Sequence, residues 1–340
     1  MKAFVVTGPR EAAVLDVPDP VVEPGHVVVD VSRVGVCGTD VEFYKGDMAY
    51  LHNGSAKYPL RLGHEWCGTV SEVGEGVDAW WLGQRVTGDT MLGCGHCHRC
   101  VSGRQHVCAD RYEIGVRHGW PGALAGRLPV PVTALHALPD TIDDTAGALI
   151  EPGANALRAV LAAGAEPGRR ILVWGSGTIG LLSTQLAVAH GADVHVVGHH
   201  EETLAMARAF GATKATHSDE GVEGIYDSII DASNSTTVPA QALDTVEPGG
   251  RLVYIGLASQ PSLVDTRSIV LADVTAVGIL SGSPAMQGVI EHFASGRVDP
   301  RPVVAATVAL EQTAWVLSGG RPDDAGPGPK VHIDPRIVES

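Results

Sequence analysis

Long apolar runs are missing from this chain: none of its 340 residues fall in a stretch of about 18 apolar positions, the length that spans a bilayer. No basic segment followed by a cleavable apolar core stands at Met1. The expectation is a soluble, cytoplasmic protein with no membrane partner. Positive charge is scarce as well, since 24 Lys and Arg against 39 Asp and Glu leave a formal net charge of −15. That balance repels phosphate backbones, and with no Lys/Arg cluster to offset it nucleic acid is not an expected partner. Cysteine is sparse, six residues in all, yet four of them crowd into positions 94 to 108. Without an export signal, such crowding points to metal rather than to disulfides. Internal repeats and low-complexity segments are lacking too.

What the chain does contain is enough length for two domains, because a single hydrophobic core rarely serves more than about 250–300 residues. The first sixty residues carry short β-rich runs, Phe4-Val5-Val6 and Val27-Val28-Val29-Asp30-Val31, broken by Pro18, Pro20 and Pro24-Gly25. This punctuation predicts an irregular, mostly antiparallel β domain. In it, Gly35-Val36-Cys37-Gly38-Thr39-Asp40 sets a thiol, a hydroxyl and a carboxylate on one glycine-bent turn, and Leu62-Gly63-His64-Glu65-Trp66 sets an imidazole beside a carboxylate. Taken singly, Cys37 reads as a small buried hydrophobe and His64 as a hydrogen-bonded structural histidine. Cys94-Gly95-His96-Cys97-His98-Arg99-Cys100, followed by Cys108, is more specific. Two overlapping C-x2-C pairs and a fourth cysteine satisfy a tetrahedral zinc ion, whereas a redox dithiol leaves two cysteines idle. His96 and His98 then read as solvated bystanders.

From position 141 the texture turns alanine-rich and helical, with Asp143 and Asp144 where a helix N-terminus favours negative charge. Glu151, between Ile150 and Pro152, is a carboxylate in an apolar setting. A buried strand over 170–174 leads into Gly175-Ser176-Gly177-Thr178-Ile179-Gly180, a helix over 181–190 and a strand over 194–197. G-x-G-x-x-G in that βαβ context lets the backbone approach a pyrophosphate seated on the helix N-terminus. Helices over 202–210 and 239–246 alternate with strands over 228–231, 251–255 and 274–280, which predicts a doubly wound parallel sheet. A helix over 287–295, a short strand over 303–308 and a Gly/Pro-rich loop over 323–329 before Lys330-Val331-His332-Ile333 complete the reading.

In order and spacing, the 35–40 and 63–68 motifs, the four-cysteine lobe, Gly147-Ala148-Leu149-Ile150-Glu151-Pro152 and the 175–180 turn resemble the zinc-dependent medium-chain dehydrogenase/reductase (alcohol dehydrogenase) superfamily over nearly the whole chain. Glu151, where many simple alcohol dehydrogenases have cysteine, is similar to the sorbitol, threonine and polyol dehydrogenase branch. The resemblance implies an α/β chain: a GroES-like β-rich catalytic domain over 1–149 with a structural zinc lobe at 91–110, a Rossmann doubly wound NAD(P)-binding domain over 150–285, and a return segment over 286–340. It implies a catalytic zinc held by Cys37, His64 and Glu65 or Glu151, with Asp40 fixing the ring of His64, and a structural zinc held by Cys94, Cys97, Cys100 and Cys108. The ion lowers the pKa of a bound alcohol, hydride passes to the nicotinamide, and the proton leaves through Thr39. Gly175, Gly177, Thr178, Ile179 and Gly180 contact the dinucleotide. The expected pocket lies in the cleft between the domains, and the assembly is a homodimer or homotetramer.

Three departures refine this. The relay histidine of relatives, three residues beyond the hydroxyl residue, is Glu42 here. The acidic residue that NAD enzymes place on the ribose 2′-hydroxyl is Gly198, followed by His199 and His200, which is similar to the Gly-Ser-Arg arrangement of NADP enzymes. Glu201 and Glu202 argue the other way, and a solvated histidine, with a pKa of about 6.5, is only partly charged at neutral pH; NADP is expected over NAD with modest selectivity. Threonine dehydrogenases carry a histidine where this chain has Met91. The expected reaction is therefore reversible oxidation of a secondary alcohol, a polyol, sugar or cyclitol/aminocyclitol, to its ketone. Simple secondary-alcohol or L-threonine-type oxidation is the alternative, and a nucleotide-binding structural protein that keeps only the lobe zinc is the non-enzyme alternative. Tyr44, Tyr58 and Trp120 are candidate pocket-wall residues, and Trp66 after His64-Glu65 is similar to enzymes that oxidise cyclitols and aminocyclitols.

Overall fold

The computed structural model describes residues 1–338, so the last two residues of the 286–340 segment lie outside the description. The chain forms two compact units. The first comprises Met1–Glu151, Val304–Gly326 and the chain from Lys330 on; the second comprises Pro152–Val303 and Pro327–Pro329. The helix Met286–Ala294, assigned from sequence to the return segment, clusters with the second unit. Its apolar Val289, Ile290 and Phe293 are buried, so packing rather than chain order decides its membership.

The first unit is built on a seven-stranded sheet. Val304–Ala309 pairs in parallel with Lys330–Asp334, which pairs antiparallel with His26–Gly35. The long strand His26–Gly35 also takes Glu65–Val73 and Arg127–Pro131 as antiparallel neighbours, and Arg85–Gly88 and Leu135–Ala137 extend the sheet beyond Glu65–Val73. Val27, Val29 and Val31 alternate into a core with Phe4, Phe43, Leu62, Trp66, Leu124 and Leu128, as period-two patterning requires. Trp66 and Tyr44 are buried in this core, and Tyr58, partly buried, packs against it and donates to the carbonyl of Phe43 at 2.6 Å. Trp120 packs against the same core and donates to the Pro129 carbonyl at 3.2 Å.

The second unit carries a six-stranded parallel sheet. Its order is Lys214–His217, Asp193–Gly198, Arg170–Trp174, Tyr226–Asp231, Val246–Tyr254 and Thr275–Gly278, that is, 3-2-1-4-5-6. This is the doubly wound dinucleotide arrangement, with the strand order reversing at Arg170–Trp174. The apolar strand sequences Ile171-Leu172-Val173 and Ser228-Ile229-Ile230 are buried because helices cover both faces of such a sheet. Among the described residues no helix is long and apolar enough to cross a membrane.

Candidate active site

Cys37 occupies the N-cap of the helix Gly38–Lys45. Asp40, in the first turn and with no exposed surface, accepts the Cys37 backbone N–H at 2.9 Å and the Gly63 N–H at 3.3 Å. One buried carboxylate thus ties the two motif turns together. Gly63 is held at φ +99°, and a Cβ there would sit 2.8 Å from the Leu124 nitrogen, so only glycine suits the turn that delivers His64. Backbone bonds from Ala123 to Gly63 and from Leu124 to Leu62 pin that turn.

Cys37, His64 and Glu65 can each offer a ligand atom within 4.8 Å of the others. His64 Nδ1 lies 3.6 Å from Asp40 Oδ1, beyond hydrogen-bond length, and finds no hydrogen-bond partner. Burial opposes charge on this imidazole, yet the carboxylate of Asp40 and the thiol of Cys37 outweigh it and hold the His64 pKa well above the ordinary histidine value. A cation shared among these donors would relieve the same excess of negative charge, so the donor set fits zinc. Glu151 is buried but is not a member of this cluster.

The sequence reading missed Lys330. Its ammonium is buried, donates to both Glu65 oxygens at 2.8 and 2.6 Å and to the Val36 carbonyl at 2.9 Å. Burial opposes its charge, but Glu65, Cys37 and Asp40 raise its pKa above the ordinary lysine value. Gly35 clears the way: it faces Glu65 across the sheet, and a Cβ there would overlap the carboxylate. The available signal was the alternation Lys330-Val331-His332-Ile333-Asp334, which reads as one wet and one dry face although all five residues are buried. His332 is fully buried with neither ring nitrogen bonded, and burial, then Lys330 and Arg33, hold it neutral.

The lobe brings Cys94, Cys97, Cys100 and Cys108 within 4.8 Å of one another. Sulfur separations of 3.9 Å (Cys94–Cys100), 3.6 Å (Cys97–Cys100) and 3.8 Å (Cys97–Cys108) match a tetrahedron of roughly 3.8 Å edge, as Zn–S bonds of about 2.3 Å require. Backbone amides aimed at Cys94 and Cys97 lower their thiol pKa values, as metal ligation requires. Cys67, by contrast, is a core thiol whose pKa burial pushes up.

In the second unit, Gly175 is held at φ +110° with the Ala232 carbonyl 2.7 Å from where a Cβ would stand, and a Cβ on Gly180 would overlap the Gly175 carbonyl. These residues make the turn tight and bring helix Thr178–Ala189 close to the strand. Gly177 caps that helix, and nothing lies within 4 Å of its Cβ position. An open, side-chain-free approach to a 12-residue helix N-terminus fits a dinucleotide pyrophosphate. Gly198 ends the neighbouring strand, with His199 and His200 exposed beyond it.

Comparison with known proteins agrees with both units. Residues 23–140 match the alcohol dehydrogenase GroES-like domain and residues 178–295 the zinc-binding dehydrogenase domain. The chain is 32% identical over 294 residues to L-threonine 3-dehydrogenase of Cutibacterium acnes, covering 82% of this chain and 83% of the relative. A solved structure described as a short chain alcohol dehydrogenase (rspB) from E. coli CFT073, complexed with NADH, aligns at TM-score 0.89 and 26% identity, covering 98% of this chain and 99% of that one. A zinc-binding dehydrogenase of Sinorhizobium meliloti 1021 bound to NADP, its assignment given as provisional, aligns at TM-score 0.89 and 27% identity with the same coverage. The GroES-like sheet, the dinucleotide fold and these relatives together make the chain an oxidoreductase of the zinc-dependent medium-chain dehydrogenase/reductase (alcohol dehydrogenase) superfamily.

Proposed function

We propose that the protein interconverts a secondary alcohol, of the polyol, sugar or cyclitol/aminocyclitol class, and its ketone, with a catalytic zinc and a nicotinamide dinucleotide, NADP ahead of NAD. The observation that carries this reading is the convergence of Cys37, His64 and Glu65 within 4.8 Å in a chain that also holds a dinucleotide fold. Cys37 and His64 are the fixed ligands in this reading, and Glu65 and Glu151 compete for the carboxylate position. Asp40 faces Nδ1 of His64 and so leaves Nε2 for the metal. Cys94, Cys97, Cys100 and Cys108 hold a structural zinc. Gly175, Gly177, Thr178, Ile179 and Gly180 seat the pyrophosphate, and Gly198, His199 and His200 border the adenosine ribose. When bound, zinc supplies Lewis acidity at the substrate oxygen and the nicotinamide accepts hydride.

The chain's own proton carriers are Thr39 and Glu42, three residues apart and hence on one helical face, both half-buried. Burial, then Asp47, raises the Glu42 carboxyl pKa above its ordinary value, which suits a group that takes a proton from the Thr39 hydroxyl and releases it. L-Threonine oxidation is the second reading, favoured by the name of the Cutibacterium relative and opposed by Met91, a buried strand residue where threonine dehydrogenases carry histidine. A homodimer or homotetramer is part of the proposal, supported by the edge strand Thr275–Gly278 with Leu257, Leu263, Val270 and Leu271 more than 70% exposed.

Assay of the zinc-loaded protein with polyols, aminocyclitols, simple secondary alcohols and L-threonine, each with NAD and NADP, tests the reading by the absorbance of reduced nicotinamide. The highest kcat/KM is expected on a vicinal-diol substrate with NADP. A clear preference for L-threonine, or for NAD, would replace the corresponding part of the proposal.

A further inference from the structure

Lys330 sets an ammonium beside a donor set that itself calls for a cation. A buried lysine is costly unless its hydrogens find acceptors and its charge finds a counter-charge. Both conditions are met here. Its three donors are all used, one on the Val36 carbonyl at 2.9 Å and two on Glu65 Oε1 and Oε2 at 2.8 and 2.6 Å. Lys330 therefore holds the backbone next to Cys37 and both oxygens of the carboxylate next to His64.

The charges around the site close only when this lysine is counted. The acidic groups that act on Lys330 are Glu65, Cys37 and Asp40, and Cys37 is a thiolate once it ligates metal. Three negative charges against one ammonium leave two, with His64 a neutral ligand, and one Zn²⁺ cancels them. Arg33 faces Asp334 at 3.5 Å instead, and His332, two residues along the same strand face, is kept neutral by burial first and then by Lys330 and Arg33. Without Lys330 one negative charge stays uncompensated beside the bound metal, and both Glu65 oxygens lose their donor. The carboxylate then has a replacement cation in reach, because a Glu65 oxygen already lies within 4.8 Å of the Cys37 and His64 ligand atoms.

We propose that Lys330 is a positioning residue for the metal site, which holds Glu65 as a counter-charge outside the coordination sphere and so keeps the zinc short of one anionic ligand. The inference rests on the catalytic-zinc reading above and decides its competition for the carboxylate position against Glu65. A further anionic donor binds Zn²⁺ more tightly and neutralises the positive charge that polarises a substrate oxygen. An open site with fewer fixed anions is the better Lewis acid. Acting through Glu65, Lys330 thus gives weaker metal binding and a more reactive ion.

Cobalt substituted at the Cys37 site tests this, read as the difference from Cys37→Ala, which keeps only the lobe ion. A purely structural lysine and the proposed one predict opposite signs. Lys330→Met leaves Glu65 unpaired in the metal-free protein and lets it bind the metal in the loaded one. Cobalt loss to EDTA should then slow, and kcat fall, each by about tenfold, with a shifted d–d absorption. Adding Glu65→Gln to Lys330→Met should restore the parental rate of metal loss and the parental spectrum. Glu65→Gln alone should keep the parental d–d bands, since it exchanges a residue outside the coordination sphere, and it carries the test should Lys330→Met fail to fold. Faster metal loss in Lys330→Met, or altered bands in Glu65→Gln, would overturn the inference and leave the catalytic metal standing. No cobalt difference between the parent protein and Cys37→Ala would overturn the two together.

Discussion

Cys94, Cys97, Cys100 and Cys108 come from one short loop, and three of the four stay partly open to solvent. Cys37 and the adjacent pair His64-Glu65 come from two turns far apart in the chain, the pair is buried, and Glu65 is balanced by a lysine 265 positions further along. The lobe needs only that the chain fold back on itself, with its own amides lowering Cys94 and Cys97 while burial raises Cys100. The buried cluster needs the register of three strands, since Gly35 must face Glu65 and Lys330 must arrive beside both. One cluster is therefore a local object whose loss is local, and the other is a product of the whole unit.

The largest expected break in this contrast comes from Cys37→Ala or His64→Ala. Each should lower kcat/KM by roughly a thousandfold or more, the several kcal/mol that a Lewis acid supplies. Metal analysis should fall from two zinc ions per chain to one, because the lobe keeps its own; near-normal turnover would end the proposed chemistry. Next, Lys330→Met leaves the Glu65 carboxylate buried without its partner, at a cost of about 3–5 kcal/mol in urea unfolding. Lys330→Arg should cost less, and adding Glu65→Gln to Lys330→Met should restore part of the loss; purely additive losses would show that the pair is not coupled.

Cys97→Ser should remove the lobe ion, lower the melting temperature by roughly 5–10 °C and leave the second zinc bound. Loss of both ions together would show that the lobe is not autonomous. The smallest effect lies in the second unit, where burial, then Lys214 and Arg170, push the His195 pKa down to about 4. The unfolded chain, with histidine near 6.5, binds more protons between these values. The stability is fully present above about pH 6.5 and is lost as pH falls toward 4, and His195→Gln should flatten that segment of a stability–pH curve. An unchanged curve would show that His195 does not carry it.

Most of the alternation of strand and helix from 170 to 280 was legible because apolar period and glycine punctuation are local, and the expected helices and strands fall within a few residues of their ranges, whereas the short, polar strand Lys214–His217 and the exposed helix Thr266–Leu271 gave no such signal. Tyr44, Tyr58 and Trp120 offered no such guide, since an aromatic that lines a pocket and one that packs on a core look alike along the chain. Lys330 was illegible for a related reason: a lysine in an alternating strand reads as solvent-facing unless its buried partner is known.

By itself the sequence determined the fold class, the four-thiol lobe and the glycine turn, because each depends on residues close in the chain and on conformations that few residues other than glycine adopt. Tertiary structure alone decided that Glu65 is held by Lys330, and that Ser176 occupies the space a side chain at 198 would need. Those outcomes turn on which side chains a sheet register and a strand end bring within a few ångströms, and buried charges and overlapping atoms are settled at that distance.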